Sequence, residues 1–233
     1  MLDFGFYNMD CLEGMKQFPD KYFDLAIVDP VYGGVTKGGY MTHNKGQWLG
    51  GKSKAREKGY HDAVWKQEKT GPEYFEELFR VSKNQIVWGG NYFTNCLPES
   101  QCWVVWDKEK PDGITFADVE LAWTSFNEAA KIFRYKWNGF MQGDMKNKEF
   151  RINPCQKPVR LYEKLLWWFA KSGDKILDTH VGSASSLVAC QKMGYQYVGF
   201  EIDETYYNDA KKRLDDESAQ LNMWQFGINP YQE

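Results

Sequence analysis

A carboxylate, a rigid carbonyl and an aromatic ring follow one another at Asp29-Pro30-Val31-Tyr32, directly after the apolar run Asp24-Leu25-Ala26-Ile27-Val28. Proline has no N–H and a fixed φ, and it confines the residue before it to extended geometry, so a strand ends here and the Pro30 carbonyl can face outward. An exocyclic NH2 of a nucleobase has two hydrogens to place. One suits the Asp29 carboxylate and the other the Pro30 carbonyl, while the Tyr32 ring offers a face on which the base can stack. The turn reads as a clamp for an aminopurine or aminopyrimidine. Without a second site it would read as an ordinary tight turn, because short motifs recur by chance.

That second site lies near the other end of the chain. Residues 174–178 have the composition of a short buried strand, 179–186 form a loop of small residues, and 187–193 continue as a helix. Small side chains let a ligand approach the backbone, and the free N–H groups of a helix start favour a carboxylate or phosphate. A further strand over 195–203 ends in acids, about twenty residues after the loop, where a carboxylate can accept from both hydroxyls of a ribose.

Taken together, these segments resemble the S-adenosylmethionine-dependent amino-methyltransferases of DNA, in the permuted order that puts the DPPY-type motif before the cofactor loop. The matching pieces are DPVY at 29–32, NPCQKP at 153–158 (similar to HPTQKP), DTHVGSAS at 178–185 (similar to DPFxGSGT) and GFEID at 199–203. Asn8-Met9-Asp10-Cys11-Leu12-Glu13 is similar to the GDCLE-type segment that lines the cofactor's adenine pocket. Val31 stands in place of the second proline, Ala184 of the last glycine of GSG, Cys155 of a threonine and Asn153 of a histidine. Val31 restores an N–H to the turn, and Ala184 matters only if its position needs a positive φ.

The resemblance implies a Rossmann-like, doubly wound α/β sheet that is mostly parallel, with a late antiparallel strand pair. It implies S-adenosylmethionine as cofactor, double-stranded DNA as partner, and Asp29, Pro30 and Tyr32 as the catalytic turn acting on a flipped adenine. The implied cofactor set is Asp10, Cys11, Lys157, Asp178, His180, Val181, Gly182, Ser183, Ser185, Glu201 and Ile202. Within it Glu201 takes the ribose hydroxyls, Asp10 the cofactor's amino group, and Lys157 the methionine carboxylate, unless Lys157 is only a solvent-facing lysine before a helix. Aspartate at the head of DPVY resembles the adenine type more than the cytosine type. An RNA or cytosine amino-methyltransferase, and a degenerate DNA-binding homologue, stay open as alternatives.

Length and charge fit this reading. The 233 residues suit one α/β domain over 1–233, with 33–69 and 127–150 as candidate DNA-recognition loops. No window has the eighteen or so apolar residues of a membrane span, and early acids spoil a signal peptide, so the expected location is cytoplasmic. Five cysteines without a CxxC pair and three histidines point to reduced thiols and no metal. A homodimer is a further partner expectation. Net charge is −3, yet residues 35–69 carry eight Lys/Arg against three Asp/Glu, and 131–160 eight against two. Basic segments on an acidic body suit local phosphate contact. Lys52, Lys54, Arg56 and Lys58 are the candidates in the first, and Arg134 with Tyr135 and Trp137, as a stacking pair among cations, in the second.

Periodicity places strands over 4–9, 24–28, 85–89, 102–107 and 119–125, the last two as a hairpin. It places helices over 11–17, 73–81, 159–171 and 204–219. Asp10, Asp29, Asp178 and Glu201 all follow strand-like runs, and so can converge on the crevice outside the carboxyl ends of the sheet. Neutralising Lys52, Lys54, Arg56 and Lys58 together is expected to weaken DNA binding whatever the sequence. The log–log salt slope should flatten by up to about 0.9 for each phosphate that is no longer neutralised. Identical slopes for wild type and variant, measured between low and moderate salt, would rule this loop out as a binder of phosphate.

Overall fold

The structure is a computed structural model that describes residues 1–33, 69–111, 117–138, 141–153 and 155–225. The candidate loop residues Lys52, Lys54, Arg56 and Lys58 lie outside the described residues. The elements in chain order are β1 (Gly5–Asn8), α1 (Cys11–Met15), β2 (Phe23–Val28), α2 (Pro72–Val81), β3 (Ser82–Trp88), β4 (Trp103–Asp107) and β5 (Val119–Thr124). They continue with β6 (Lys131–Arg134), β7 (Trp137–Asn138), β8 (Met141–Gln142), α3 (Val159–Phe169), β9 (Lys175–Asp178), α4 (Ser185–Met193), β10 (Gln196–Glu201) and α5 (Glu204–Gln225).

Eight strands form one sheet in the order β1-β10-β9-β2-β3-β5-β4-β6, and β7 and β8 make a separate antiparallel pair. Strands β1, β10, β9, β2 and β3 are mutually parallel. Strand β5 runs against both β3 and β4, and β6 lies parallel to β4 at the edge. The expected doubly wound α/β sheet with an antiparallel pair is therefore present, its reversed strand being β5. Because β2 pairs with β9, the DPVY turn and the small-residue loop leave the sheet from neighbouring strands at the same edge.

Both faces of the sheet are covered, which explains why its central strands read as unbroken apolar runs. Leu25, Ile27, Ile86, Trp88 and Ile176 pack on one side against α3, α4 and α5. Ala26, Val28, Val87 and Leu177 pack on the other against Met15 of α1 and Tyr74, Phe75 and Leu78 of α2. Each fully buried large aliphatic or aromatic side chain contributes about 1.5–3 kcal/mol, so the two layers supply most of the force that fixes the strand order. Pro72 opens α2 at its first position, where its missing N–H has no helical partner to lose.

Several elements differ from the periodicity. Strand β3 starts at Ser82, three residues before the expected 85, because α2 passes into it with no loop and Ser82 Oγ donates to the Leu78 carbonyl. Residues 131–142, where the periodicity places no strand, hold β6 and the β7–β8 pair. Trp137 is corrected here: it is 7% exposed, and its indole N–H donates to the Gln156 carbonyl at 2.8 Å, so it packs in the core instead of presenting a face to nucleic acid. Tyr135 stacks on Phe133 with centroids 5.8 Å apart and is also engaged internally. Arg134 remains exposed, 3.6 Å from Asp107. Among the described residues no helix is long and apolar enough to cross a membrane.

Candidate active site

Asp29 leaves the end of β2 with both carboxylate oxygens engaged. Oδ1 accepts from the Tyr32 hydroxyl and Oδ2 from Lys157 Nζ. Among the described residues no backbone hydrogen bond ends on the Pro30 carbonyl. The Tyr32 ring stacks on Tyr92, centroids 4.9 Å apart at 19°. Its near edge lies over Gly89, where an added Cβ would come within 2.2 Å of the ring and where φ is +65°. Glycine is required there twice, by conformation and by close approach. Burial, with the adjacent Asp29 charge, raises the Tyr32 phenol well above its ordinary range, so it remains a donor.

Lys157 is 5% exposed, so it is not a solvent-facing lysine before a helix. Its ammonium bridges Asp29 Oδ2 and Glu120 Oε2, the latter at 3.3 Å, and sits 5.3 Å from the Trp88 ring centroid. Burial alone would depress this amine, but Asp29 and Glu120 outweigh it and hold Lys157 well above the usual lysine range. Glu120 Oε1 also meets Lys108 Nζ at 2.5 Å. Burial would raise Glu120, and Lys157 and Lys108 together overcome that and lower it. Neither Glu120 nor Lys108 was expected from the sequence. The available signal was an acid inside the apolar run Val119-Glu120-Leu121-Ala122-Trp123.

On the adjacent strands the small-residue loop is held by carboxylates. Asp178, at the end of β9, accepts from the His180 N–H at 3.0 Å and from the Ser186 hydroxyl. Val181 donates its N–H to the Phe200 carbonyl, and Gly182, with φ +55°, donates to Glu201 Oε2 at 2.8 Å. The other Glu201 oxygen accepts from the Asp203 N–H at 2.9 Å. Each oxygen thus takes one backbone donor and keeps a lone pair for another. Burial raises Glu201 above the usual carboxylate range, against the pull of these N–H groups. Asp10 caps α1 through Oδ1, which accepts from Leu12 N–H at 2.9 Å and Glu13 N–H at 3.1 Å, and Oδ2 remains on the exposed side. Cys11 beside it is a free thiol, pushed up to about 12 by burial and by Asp10. Ile202 is 54% exposed just beyond Glu201.

Ala184 occupies the position where the resemblance has glycine, and it adopts φ +61°. A side chain in this left-handed region costs roughly 1–2 kcal/mol. The residues on either side of it are tied down by Arg213 of α5, which donates to the Ser183 carbonyl at 2.7 Å and to Ser185 Oγ at 3.0 Å. The same guanidinium pairs with Glu149 at 2.8 Å, and Glu149 caps α3 by accepting the Val159 N–H. Ser183 and Ser185 also share a hydroxyl contact of 3.2 Å. Arg213 and Glu149 were not foreseen, since both sit in charged stretches whose solvent-facing neighbours look the same.

The loop on β9 and the clamp on β2 stand side by side, as in a Rossmann-like methyltransferase. The chain belongs to the DNA methylase family of the N6/N4 amino type, whose match covers residues 62–212. It is 23% identical over 248 residues to the type II methyltransferase M.HinfI of Haemophilus influenzae, covering 88% of this chain and 66% of that protein. Other curated relatives match over about a quarter of their own length. Among solved structures, the M1.HpyAVI–SAM complex superposes with a TM-score of 0.53 at 18% identity, covering 89% of this chain and 98% of the other. The cytosine-N4-specific PvuII DNA methyltransferase superposes with 0.57 at 12% identity, over 95% and 93%. These likenesses establish the fold.

His180 and Asp178 contribute to stability with opposite dependence on pH. Burial lowers half-buried His180 from 6.5 to about 4, so in that interval the unfolded chain holds a proton the folded chain lacks, and stability falls as pH drops. Burial raises Asp178 to about 7, so the folded chain holds the extra proton and stability falls as pH rises from about 4 towards 7. His180→Gln removes only the first effect. Relative to wild type, the variant is expected to gain on the order of 2 kcal/mol of unfolding free energy between pH 7 and pH 4, read by urea titration at each pH. A difference that does not change with pH would show that the imidazole titrates as it does in the unfolded chain.

Proposed function

We propose that this protein transfers a methyl group from S-adenosylmethionine to the exocyclic amine of an adenine flipped out of DNA. The observation that carries the reading is the parallel pairing of β2 with β9, which brings the Asp29 carboxylate and the Asp178–Ser185 loop to one crevice. The residues of that loop suit the cofactor. Glu201 keeps an acceptor on each oxygen for a ribose diol, and Gly182 to Ser185 leave the backbone open to approach. When bound, S-adenosylmethionine supplies a methyl already activated by its sulfonium, so no metal or strong base is needed to make the electrophile.

The protein's task is then to aim the amine. In a planar aminopurine the nitrogen lone pair is delocalised into the ring. Acceptance of its two hydrogens by Asp29 and the Pro30 carbonyl favours a more tetrahedral nitrogen with its lone pair towards the methyl. With the cofactor bound, the nitrogen would form the new N–C bond as the S–C bond breaks with its electrons going to sulfur, and the nitrogen would then lose one proton to solvent by way of the Asp29 carboxylate. Positive charge passes from sulfur to nitrogen in this step, and Asp29 stabilises it where it develops. The amine reaches Oδ1 by displacing the Tyr32 hydroxyl, which frees the ring of Tyr32 to stack on the base and offset part of the unstacking cost of a few kcal/mol.

A cytosine amine offers the same two hydrogens, and the cytosine-N4-specific structural neighbour favours keeping that second reading in the test. Transfer of labelled methyl to duplexes that carry only adenine or only cytosine amines in the target strand separates the two. Incorporation confined to cytosine would overturn the adenine assignment. Asp29→Ala is expected to abolish transfer in single-turnover assays while leaving cofactor affinity unchanged. Retained turnover would remove Asp29 from the chemistry. Glu201→Ala is expected to weaken cofactor binding by roughly 1.5–3 kcal/mol, the range for a hydrogen bond to a charged group, with DNA binding intact. An unchanged cofactor dissociation constant by calorimetry would mean that β10 does not end at the ribose.

A further inference from the structure

Four charged side chains alternate in sign through the floor of the crevice, in the order Lys108, Glu120, Lys157, Asp29. They come from four places in the chain: just past β4, the start of β5, the segment before α3, and the end of β2. The reversed direction of β5 is what makes this meeting happen. An antiparallel strand delivers its beginning to the edge where its parallel neighbours deliver their ends, so Glu120 arrives beside the carboxyl ends of β2, β3 and β4.

The Lys157 ammonium is shared between two carboxylates, Asp29 and Glu120, and lies 5.3 Å from the Trp88 ring centroid. Without Glu120, the whole field of a buried ammonium would fall on Asp29. That matters for the proposed reaction more than for binding. The target amine arrives neutral and turns cationic as the bond forms, so an uncompensated ammonium behind Asp29 opposes the transition state and leaves the ground state alone.

We propose that Glu120 is a positioning residue for methyl transfer, which shares the Lys157 ammonium with Asp29, offsets its charge and, with Lys108, keeps the four-charge row neutral. This rests on the function proposed above. Lys108 sits at the far end of the row from Asp29, with its ammonium 5.2 Å from the Trp106 ring centroid, and pairs with Glu120.

The test measures labelled methyl transfer to DNA under single turnover, together with KM for DNA and cofactor, for wild type, Glu120→Gln, Lys108→Met and the double variant. Glu120→Gln keeps an acceptor for Lys157 but leaves one surplus positive charge, and kcat is expected to fall roughly 10- to 100-fold, as for removal of an outer-shell partner, with both KM values unchanged. The double variant removes one charge of each sign, and is expected to recover roughly tenfold or more of that decrease. A merely structural glutamate would not be rescued by a second substitution beside it. Unchanged kcat in Glu120→Gln, an effect that appears in KM, or a folded double variant no better than the single one would each overturn the proposal. Should Glu120→Gln fail to fold, the balanced double variant decides alone: near-wild-type kcat supports it and a folded inactive protein overturns it. If wild type transfers no methyl to DNA, it is the function and not the role of Glu120 that has failed.

Discussion

Parallel pairing of β2 with β9 is the constraint on which the site depends. Register there is set by Leu25 opposite Ile176 and Ala26 opposite Leu177, the first pair pointing to one core and the second to the other. A slip by one residue would turn every one of these side chains to the wrong layer, so the apolar packing of two helical layers also fixes the relative height of the Asp29 turn and the Asp178 loop. Those two segments are separated by most of the chain, and no local interaction could hold them level. The precision of the crevice is therefore a by-product of burial on both faces of the sheet.

The small-residue loop after β9 shows a different solution to a local conflict. Ala184 takes a left-handed conformation that its methyl disfavours, and it is completely buried, so the methyl also packs. Arg213 holds the flanking Ser183 and Ser185, and Glu149 holds Arg213. Burial lowers Arg213 and raises Glu149 relative to their ordinary values, which marks the pair as one that persists because each member satisfies the other. The loop is over-determined by tertiary interactions, and this is how a non-glycine residue can stand at the position.

Much of this was legible in the sequence, for reasons that can be named. Strands β2, β9 and β10 carry apolar runs buried on both sides and end in acids, and helices α2 and α3 have apolar faces at helical spacing. The motifs attached to them were found for the same reason. Edge strand β6 was missed because four residues with alternate exposure give too short a period to register. Glu120 was missed because its place in the site depends on the direction of β5 in the sheet, which composition does not encode. The contact of Lys157 with Asp29, 128 residues away, was not foreseen because it depends on which strands are neighbours in the sheet and not on the motif around Lys157. Trp137 looked like a surface aromatic because Arg134 and Lys136 flank it, but in β7 its ring is buried and its indole N–H meets the Gln156 carbonyl.

Under the proposed function, the hydroxyl of Tyr32 on Asp29, with its ring against the 43% exposed Tyr92, would give the resting protein an internal stand-in for the target amine. A hydrogen bond to a charged acceptor contributes roughly 1.5–3 kcal/mol, and any incoming amine has to exceed that before it can occupy the carboxylate. A base presented by a duplex brings backbone contacts and an aromatic face with it, and a stray metabolite amine brings neither. Under that function the tyrosine would act as an admission threshold for Asp29, set by the same ring that would later support the target.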